Sequence, residues 1–371
     1  MPKDHNKGTV DYTLLLIIFT LVVIGLLAVS SASVVVSFDR FGQNFYYLRT
    51  QLFATLLGLI AMAITTAIDY RYWRKLAYPL MLVTIALLVL VLIPGIGREL
   101  GGARAWVYIG PINFQPSEIV KLTFLLYFAA WLERQGEGVR RLHTGFIPFL
   151  TMLGVIALLV MMQPDLGTLT IIVAIAVAMF FTAGASWVQM GAISAGAVGI
   201  FMLLIKVAPY RLQRIATFLE PTKDCLGSGY QICQSLLGIG SGGWFGLGFG
   251  QSKQKFLYLP QAHTDSIFVI LVEELGFLRT TLILVLFGLV GYRGYKIAEH
   301  APDMFGRLVA TGITSWLIFQ TFVNIGAALS IVPLTGITLP FISYGGSSMI
   351  LTLAASGILL NISKQIKSEN A

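Results

Sequence analysis

Charge is what this chain has least of. Asp, Glu, Lys and Arg make up 11% of its 371 residues, where a water-soluble domain carries about 25%. With 56% hydrophobic residues and a mean hydropathy of +0.81, the soluble globular class is excluded. Disorder is excluded too, because so apolar a polymer does not stay solvated and unfolded. Cysteine is almost missing: Cys225 and Cys233 are too few for a disulfide-dense secreted fold or a four-cysteine zinc site. No C-x-x-C, P-loop, H-E-x-x-H or G-x-S-x-G occurs. Gly238, Gly240 and Gly243 match G-x-G-x-x-G, but no strand precedes them and no βαβ pattern surrounds them, which argues against a dinucleotide site. The excess of 25 Lys and Arg over 17 Asp and Glu forms no clustered basic face. The charges sit between apolar runs, so they report membrane topology and no nucleic-acid partner.

What the chain has is long apolar runs. A spanning helix needs about 20 such residues, and ten runs qualify, near 12–36, 48–68, 76–94, 115–132, 146–162, 167–183, 187–206, 265–291, 305–327 and 342–361. The first is too long, and too poor in small residues for cleavage, to read as a removable signal. The expected fold is therefore all-α: a polytopic integral membrane protein forming one domain over residues 1–371. An even number of spans puts both termini on one side. Thirteen lysines and arginines, from Lys3 to Lys367, fall on that side, against Arg40, Arg49, Arg98 and Arg104 in the short loops opposite. The termini are expected in the cytoplasm.

Residues 207–263 then form a long extracytoplasmic loop. It keeps Trp244, Phe245, Phe249, Phe256 and Tyr258 and is rich in glycine, which suits a segment folded back onto the bundle. Cys225 and Cys233 both lie there, where either a disulfide or two small buried thiols is compatible with the compartment.

An ionisable residue inside a span is costly and is by default a functional candidate. Glu118 and Lys121 follow Gln115 and Pro116 at the start of a span. The acid suits a helix N-terminus, whereas Lys121, one turn deeper on the same face, reads as the partner of Glu118 in a polar cavity. Asp265 follows His263 and Thr264 at the outer end of the eighth span, and helix capping and catalysis are both open for it. Glu273 and Glu274 lie deeper in that span and read as a structural pair, and for Arg279 snorkelling and pairing with Glu274 are both open. Asp165, in Gln163-Pro164-Asp165-Leu166-Gly167, reads as a turn or cap residue. Lys253 and Lys255 read as solvated loop charges.

These stretches resemble the SEDS family of polytopic membrane proteins (FtsW, RodA and SpoVE). The similarity runs through Phe114-Gln115-Pro116-Ser117-Glu118 with Lys121, Gln163 to Gly167, Pro209-Tyr210-Arg211 with Arg214, and Gly229-Tyr230-Gln231 with Gln234-Ser235. It continues through Gly240 to Gly243, Leu259-Pro260, His263-Thr264-Asp265, Glu273 to Gly276, and Leu339 to Ser347. Residues 208–214, 218–221 and 338–343 favour the division-type branch over the elongation-type branch that acts in cell shape.

The resemblance implies a peptidoglycan glycosyltransferase that polymerises lipid II at the outer face of a bacterial cytoplasmic (inner) membrane. It implies a class B penicillin-binding transpeptidase and other division-complex membrane proteins as partners, and enrichment at the septum. Carried onto this sequence, Asp265 is the catalytic residue. Glu118, Lys121, Arg104, Trp106, Gln115, Arg211, Arg214, His263, Thr264 and Ser343 are the expected substrate-binding set. A carboxylate at a membrane edge suits a general base, and the cations suit a departing pyrophosphate, with a divalent ion such as Mg or Mn able to share that task. The rival readings are a lipid II flippase and a non-catalytic scaffold that recruits a transpeptidase.

Overall fold

The computed structural model describes residues 8–100, 103–109, 112–207, 218, 220 and 223–366. Arg211 and Arg214 lie outside the described residues, as does the side chain of Arg104. Twelve α-helices are described: α1 (Tyr12–Ala32), α2 (Val34–Phe41), α3 (Tyr46–Ala67), α4 (Arg71–Leu92), α5 (Pro116–Gln135), α6 (Ile147–Met161), α7 (Leu166–Thr182), α8 (Trp187–Val207), α9 (Tyr230–Gly242), α10 (Ile267–Glu299), α11 (Met304–Ala328) and α12 (Gly346–Lys364). All but the short α2 and α9 coincide with the ten apolar runs. At 22 residues, α3 and α4 are about 33 Å long, enough to cross a hydrocarbon core.

Burial is inverted relative to a soluble bundle, as expected when the solvent is lipid. On α1, Leu14, Ile18, Leu21 and Val29 are buried while Leu16, Phe19, Val23 and Leu27 are exposed, so both faces are apolar. α11 and α12 are largely buried and α4 is peripheral. α3 runs along α12, with Thr65 donating to the Ala354 carbonyl at 2.9 Å where Gly357 lets the backbones meet.

The helical expectation holds, with one small addition. Residues 97–114 form an antiparallel meander of β1 (Gly97–Leu100), β2 (Ala103–Ile109) and β3 (Ile112–Phe114) in the order β1-β2-β3. Its register sets Arg104 opposite Glu99 and Trp106 opposite Arg98, with a shift between Arg98 and Glu99. The sheet delivers the chain to Gln115 and to Pro116 at the start of α5, a position where the missing proline N–H costs nothing.

The eighth apolar run is not one straight span. α10 breaks at Gly276, whose φ of 79° and ψ of 173° belong to a region open essentially to glycine alone. The outer loop fills the break. Phe277 N–H donates to the Gly243 carbonyl at 2.9 Å and Leu278 N–H to that of Trp244 at 3.2 Å. In return Leu247 N–H reaches the Glu273 carbonyl at 2.9 Å and Gly248 N–H that of Glu274 at 3.0 Å. Groups freed by the kink are thus satisfied where water is scarce. Gly246 and Gly276 face each other, and a Cβ on either would strike the other strand's backbone.

The buried acids below Asp265 hold the same loop. Glu273 accepts from the Ser252 hydroxyl at 2.5 Å, Lys253 N–H at 3.0 Å and Gln254 N–H at 3.3 Å. Glu274 accepts from the Ser31 hydroxyl at 2.6 Å and Lys255 Nζ at 3.1 Å. Lys255, expected as a solvated charge, is 5% exposed because Glu274, Ser31 and the Gly250 carbonyl surround its ammonium. Lys253 is exposed. Arg279 does not pair with Glu274; it donates to the Phe245 carbonyl at 3.2 Å. Of the two alternatives for the cysteines, the structure has the Cys225–Cys233 disulfide, which ties the loop to the first turn of α9.

Replacing Gly276 with alanine forces a Cβ into this joint, at a cost of roughly 1–3 kcal/mol for the backbone conformation alone. Gly276→Ala is expected to lower the thermal midpoint of the detergent-solubilised protein by several degrees. Gly240→Ala, facing open space, should leave it unchanged or raise it slightly; equal midpoints for the two variants would refute the joint.

Candidate active site

Asp265 sits in a turn just before α10. Thr264 and Ser266 N–H both return to the Gln261 carbonyl, at 3.0 and 3.3 Å, and Gln261 has φ +52°. The N-cap position of α10 belongs to Ser266, and no side chain caps the helix. The capping role open to Asp265 in the sequence is therefore not the one it fills; its carboxylate accepts from the Thr264 hydroxyl at 3.2 Å.

Three successive carbonyls fix this turn. That of His263 accepts from Tyr344 N–H at 2.9 Å, that of Thr264 from the Ser343 hydroxyl at 2.6 Å, and that of Asp265 from Asn324 Nδ2 at 2.8 Å. The His263 ring lies 4.5 Å from that of Tyr47 and 5.6 Å from that of Tyr344. Burial, with the charge of Arg40 adding to it, lowers the imidazole to about 4, so His263 is neutral at physiological pH. Burial pushes the Asp265 carboxyl up to about 6, opposed by hydrogen bonds from the Thr264 hydroxyl, the backbone and Gln231. The carboxylate borders a cleft of about 10 Å³, room for one water, lined by Gln231, Ser235, Ser266, Asn324 and Thr335 among others.

Beneath the turn lies the second polar cluster. Lys121 Nζ donates to Glu118 Oε1 at 2.6 Å and to Gln320 Oε1 at 2.9 Å, and sits 5.0 Å from the centre of the Trp316 ring. Lys121 is 1% and Glu118 7% exposed. The pairing expected from their spacing is present, and among the described residues Trp316 and Gln320 of α11 close over the ammonium. Gln115 and Ser343, both expected to bind substrate, also make contacts within the protein. Gln115 Nε2 is turned to Asp165 at 3.3 Å, and Asp165 caps α7 through Thr168 N–H at 2.9 Å. The Ser343 hydroxyl is consumed by the backbone, accepting from Leu339 N–H at 2.8 Å and donating to Thr264. Trp106 is half-buried in β2.

Asn324, Gln320 and Thr335 escaped the sequence reading. Amides within an apolar run were the available signal, since a buried amide needs partners as surely as a charge does. Among the described residues no three His, Cys, Asp or Glu side chains converge. Among the described residues, the polar lining of the cleft beside Asp265 is amides and hydroxyls, with no second carboxylate or imidazole.

Fold and site together define a multi-pass membrane protein with a raised carboxylate at one end of its spans and a lysine–glutamate pair enclosed by α11. Comparison with known proteins narrows the class. The profile of a family described as cell cycle protein, covering FtsW, RodA and SpoVE, matches residues 12–368, and the chain belongs to that family. It is 45% identical to stage V sporulation protein E of Bacillus subtilis, over 97% of this chain and 98% of that one. It is 42% identical to a probable peptidoglycan glycosyltransferase FtsW of Geobacter sulfurreducens, over 96% of each. Among solved structures, it superposes on a chain of a peptidoglycan synthase complex that coordinates polymerization and crosslinking, with a TM-score of 0.80 and 30% identity over 97% of this chain and 99% of the other. The rod shape determining protein RodA of Thermus thermophilus gives 0.71 and 31%, over 96% and 97%.

Removing one partner from a buried ion pair strands the other, at a cost of about 3–5 kcal/mol. Lys121→Met is expected to lower stability and polymer yield severely, Glu118→Gln/Lys121→Met to recover much of the stability, and Lys253→Ala to change neither. Thermal unfolding beside the activity assay checks this; a Lys121→Met protein as stable as wild type would show that the pair is not a buried constraint.

Proposed function

We propose that this protein is a peptidoglycan glycosyltransferase that polymerises lipid II into glycan strands at the outer membrane face, with Asp265 as general base. The observation carrying the proposal is the Asp265 carboxylate: excluded from capping, held by its own backbone, and raised toward neutrality by burial. In the reaction, the carboxylate takes the proton from the acceptor sugar hydroxyl. The resulting oxygen bonds to the anomeric carbon of the donor, whose bond to the pyrophosphate oxygen breaks, and the polyprenyl pyrophosphate departs with the electron pair. A base whose pKa lies near the working pH suits this step. Arg104, Arg211 and Arg214 are the cations proposed to meet the leaving pyrophosphate. Lys121, neutralised by Glu118 in this state, would join them only if the pair opened.

The structural relative that coordinates polymerization with crosslinking supports a class B transpeptidase as partner. Relatives named FtsW support a septal site of action in cell division, with the termini in the cytoplasm as the Lys and Arg distribution implies. The identity of 45% to a sporulation protein favours one second reading, the same chemistry deployed in spore formation. A deletion strain scored for both filamentation and spore yield separates the two.

The test uses purified protein and lipid II, with and without a class B transpeptidase, and reads product length on a gel. Asp265→Asn should lose at least about 100-fold in rate, as removal of a general base does, while still folding and binding the transpeptidase. A base works above its pKa, so wild-type rate should be lost as pH falls, about tenfold per unit below about 6. An undiminished ladder from Asp265→Asn would overturn the assignment of the base; its loss distinguishes a polymerase from a scaffold, and a lipid II translocation assay addresses the flippase.

A further inference from the structure

α11 carries Trp316, Gln320 and Asn324 four residues apart, on one face of the helix. All three are buried, Trp316 and Gln320 completely and Asn324 to 2% exposure, and they form a polar ladder inside the membrane. Trp316 Nε1 and Lys121 Nζ both donate to Gln320 Oε1, at 2.7 and 2.9 Å. Gln320 Nε2 donates onward to the Thr338 carbonyl at 2.9 Å. One turn higher, the two N–H groups of Asn324 are divided between two segments: the Ile337 carbonyl at 2.7 Å and the Asp265 carbonyl at 2.8 Å.

The orientation of the Asn324 amide follows from these partners. Both are carbonyls, so the flipped amide would set oxygen against oxygen. Its own Oδ1 is left buried, without a partner among the described residues, and Asn324 is one of the residues lining the water-sized cleft beside the Asp265 carboxylate. An amide that forgoes its acceptor in order to donate twice is spending its hydrogen bonds on geometry. Residues 337 and 338 are gripped by successive rungs of one rigid helix, and the backbone of Asp265 is fastened to the upper rung.

We infer that Asn324 is a positioning residue for the catalytic base, joining the main chain of Asp265 and the 337–343 segment to the rung below, which holds Lys121. This rests on the reading of Asp265 as base. The effect of Asn324 is on where the carboxylate points. A misplacement of about 1 Å at a reacting centre costs on the order of 100-fold in rate. Loss of Asn324 strands two buried carbonyls, so the turn relaxes toward new partners and the carboxylate with it.

The experiment compares wild type, Asp265→Asn, Asn324→Ala and Ile313→Ala in the lipid II polymerisation assay. Ile313 is a buried core residue lower on α11 and serves as a control for general destabilisation. Thermal midpoints are recorded, and kcat and KM are separated. Positioning predicts that Asn324→Ala loses about 10- to 100-fold in kcat with KM within about twofold, while Ile313→Ala, equally or more destabilised, stays within about threefold of wild type. If Asn324→Ala does not give folded protein, Asn324→Ser, which keeps one donor, is measured against the same control. An Asn324 variant no slower than Ile313→Ala overturns the inference. An active Asp265→Asn instead overturns the reading of the base, so the two failures are told apart.

Discussion

At membrane depth there is no water to complete a hydrogen bond, and each polar atom taken out of reach of solvent has to meet another protein atom or stand unpaired at a cost of several kcal/mol. Lys121 feels this constraint most acutely, being a full charge at 1% exposure. Its ammonium is met by a carboxylate, an amide oxygen and an indole face, which come from two helices. Once Gln320 has accepted from Lys121, its remaining donor has to find the Thr338 carbonyl, and the path of residues 337–343 is thereby set. Those residues hold the turn that bears Asp265. One buried charge thus propagates, through obligatory pairings, to the placement of a carboxylate one turn further along α11.

The outer loop answers the same constraint differently. The kink in α10 exposes backbone groups that an intact helix would satisfy, and residues 243–248 enter as a surrogate strand. Glu273 and Glu274 then collect the donors of residues 252–255. The loop is accordingly fastened to the bundle through its backbone and through Ser252 and Lys255, and its α9 supplies Gln231 and Ser235 to the cleft beside Asp265.

How much of this was legible in the sequence depended on range. The spans were readable because a run of apolar residues is a local property, and the pairing of Glu118 with Lys121 because three residues on a helix is a fixed distance. Asp265 stood out as a carboxylate at a membrane edge. Unreadable features depended on partners remote in the chain. Lys255 looked like a surface charge because Ser31 lies 224 positions away, and Asn324 looked like one polar residue among many because its partner lies 59 positions off. Gly276 stood inside the run 265–291, between Glu274 and Arg279, where no proline or turn sequence marks an end, and only the loop seated in the kink reveals the interruption. Ser343 and Gln115 carried hydroxyl and amide groups suited to a sugar, and lost them to backbone and to Asp165.

α1 has a consequence for how the protein is made. It is made before the other helices described, yet its fixed partners come late: Asp11 meets Ser363 and Arg293, and Ser31 meets Glu274, at separations of 352, 282 and 243 residues. Its middle rests on the backbone of Phe341 and Ile342 through Gly25. At ordinary translation speed α1 therefore waits in lipid on the order of tens of seconds before those surfaces exist. It is built for the wait. Thr20 and Ser30 bond back to carbonyls of their own helix, and the two residues with distant polar appointments, Asp11 and Ser31, stand at its ends, within reach of water and headgroups. The order of synthesis, as much as the final packing, thus accounts for where this helix keeps its polar atoms.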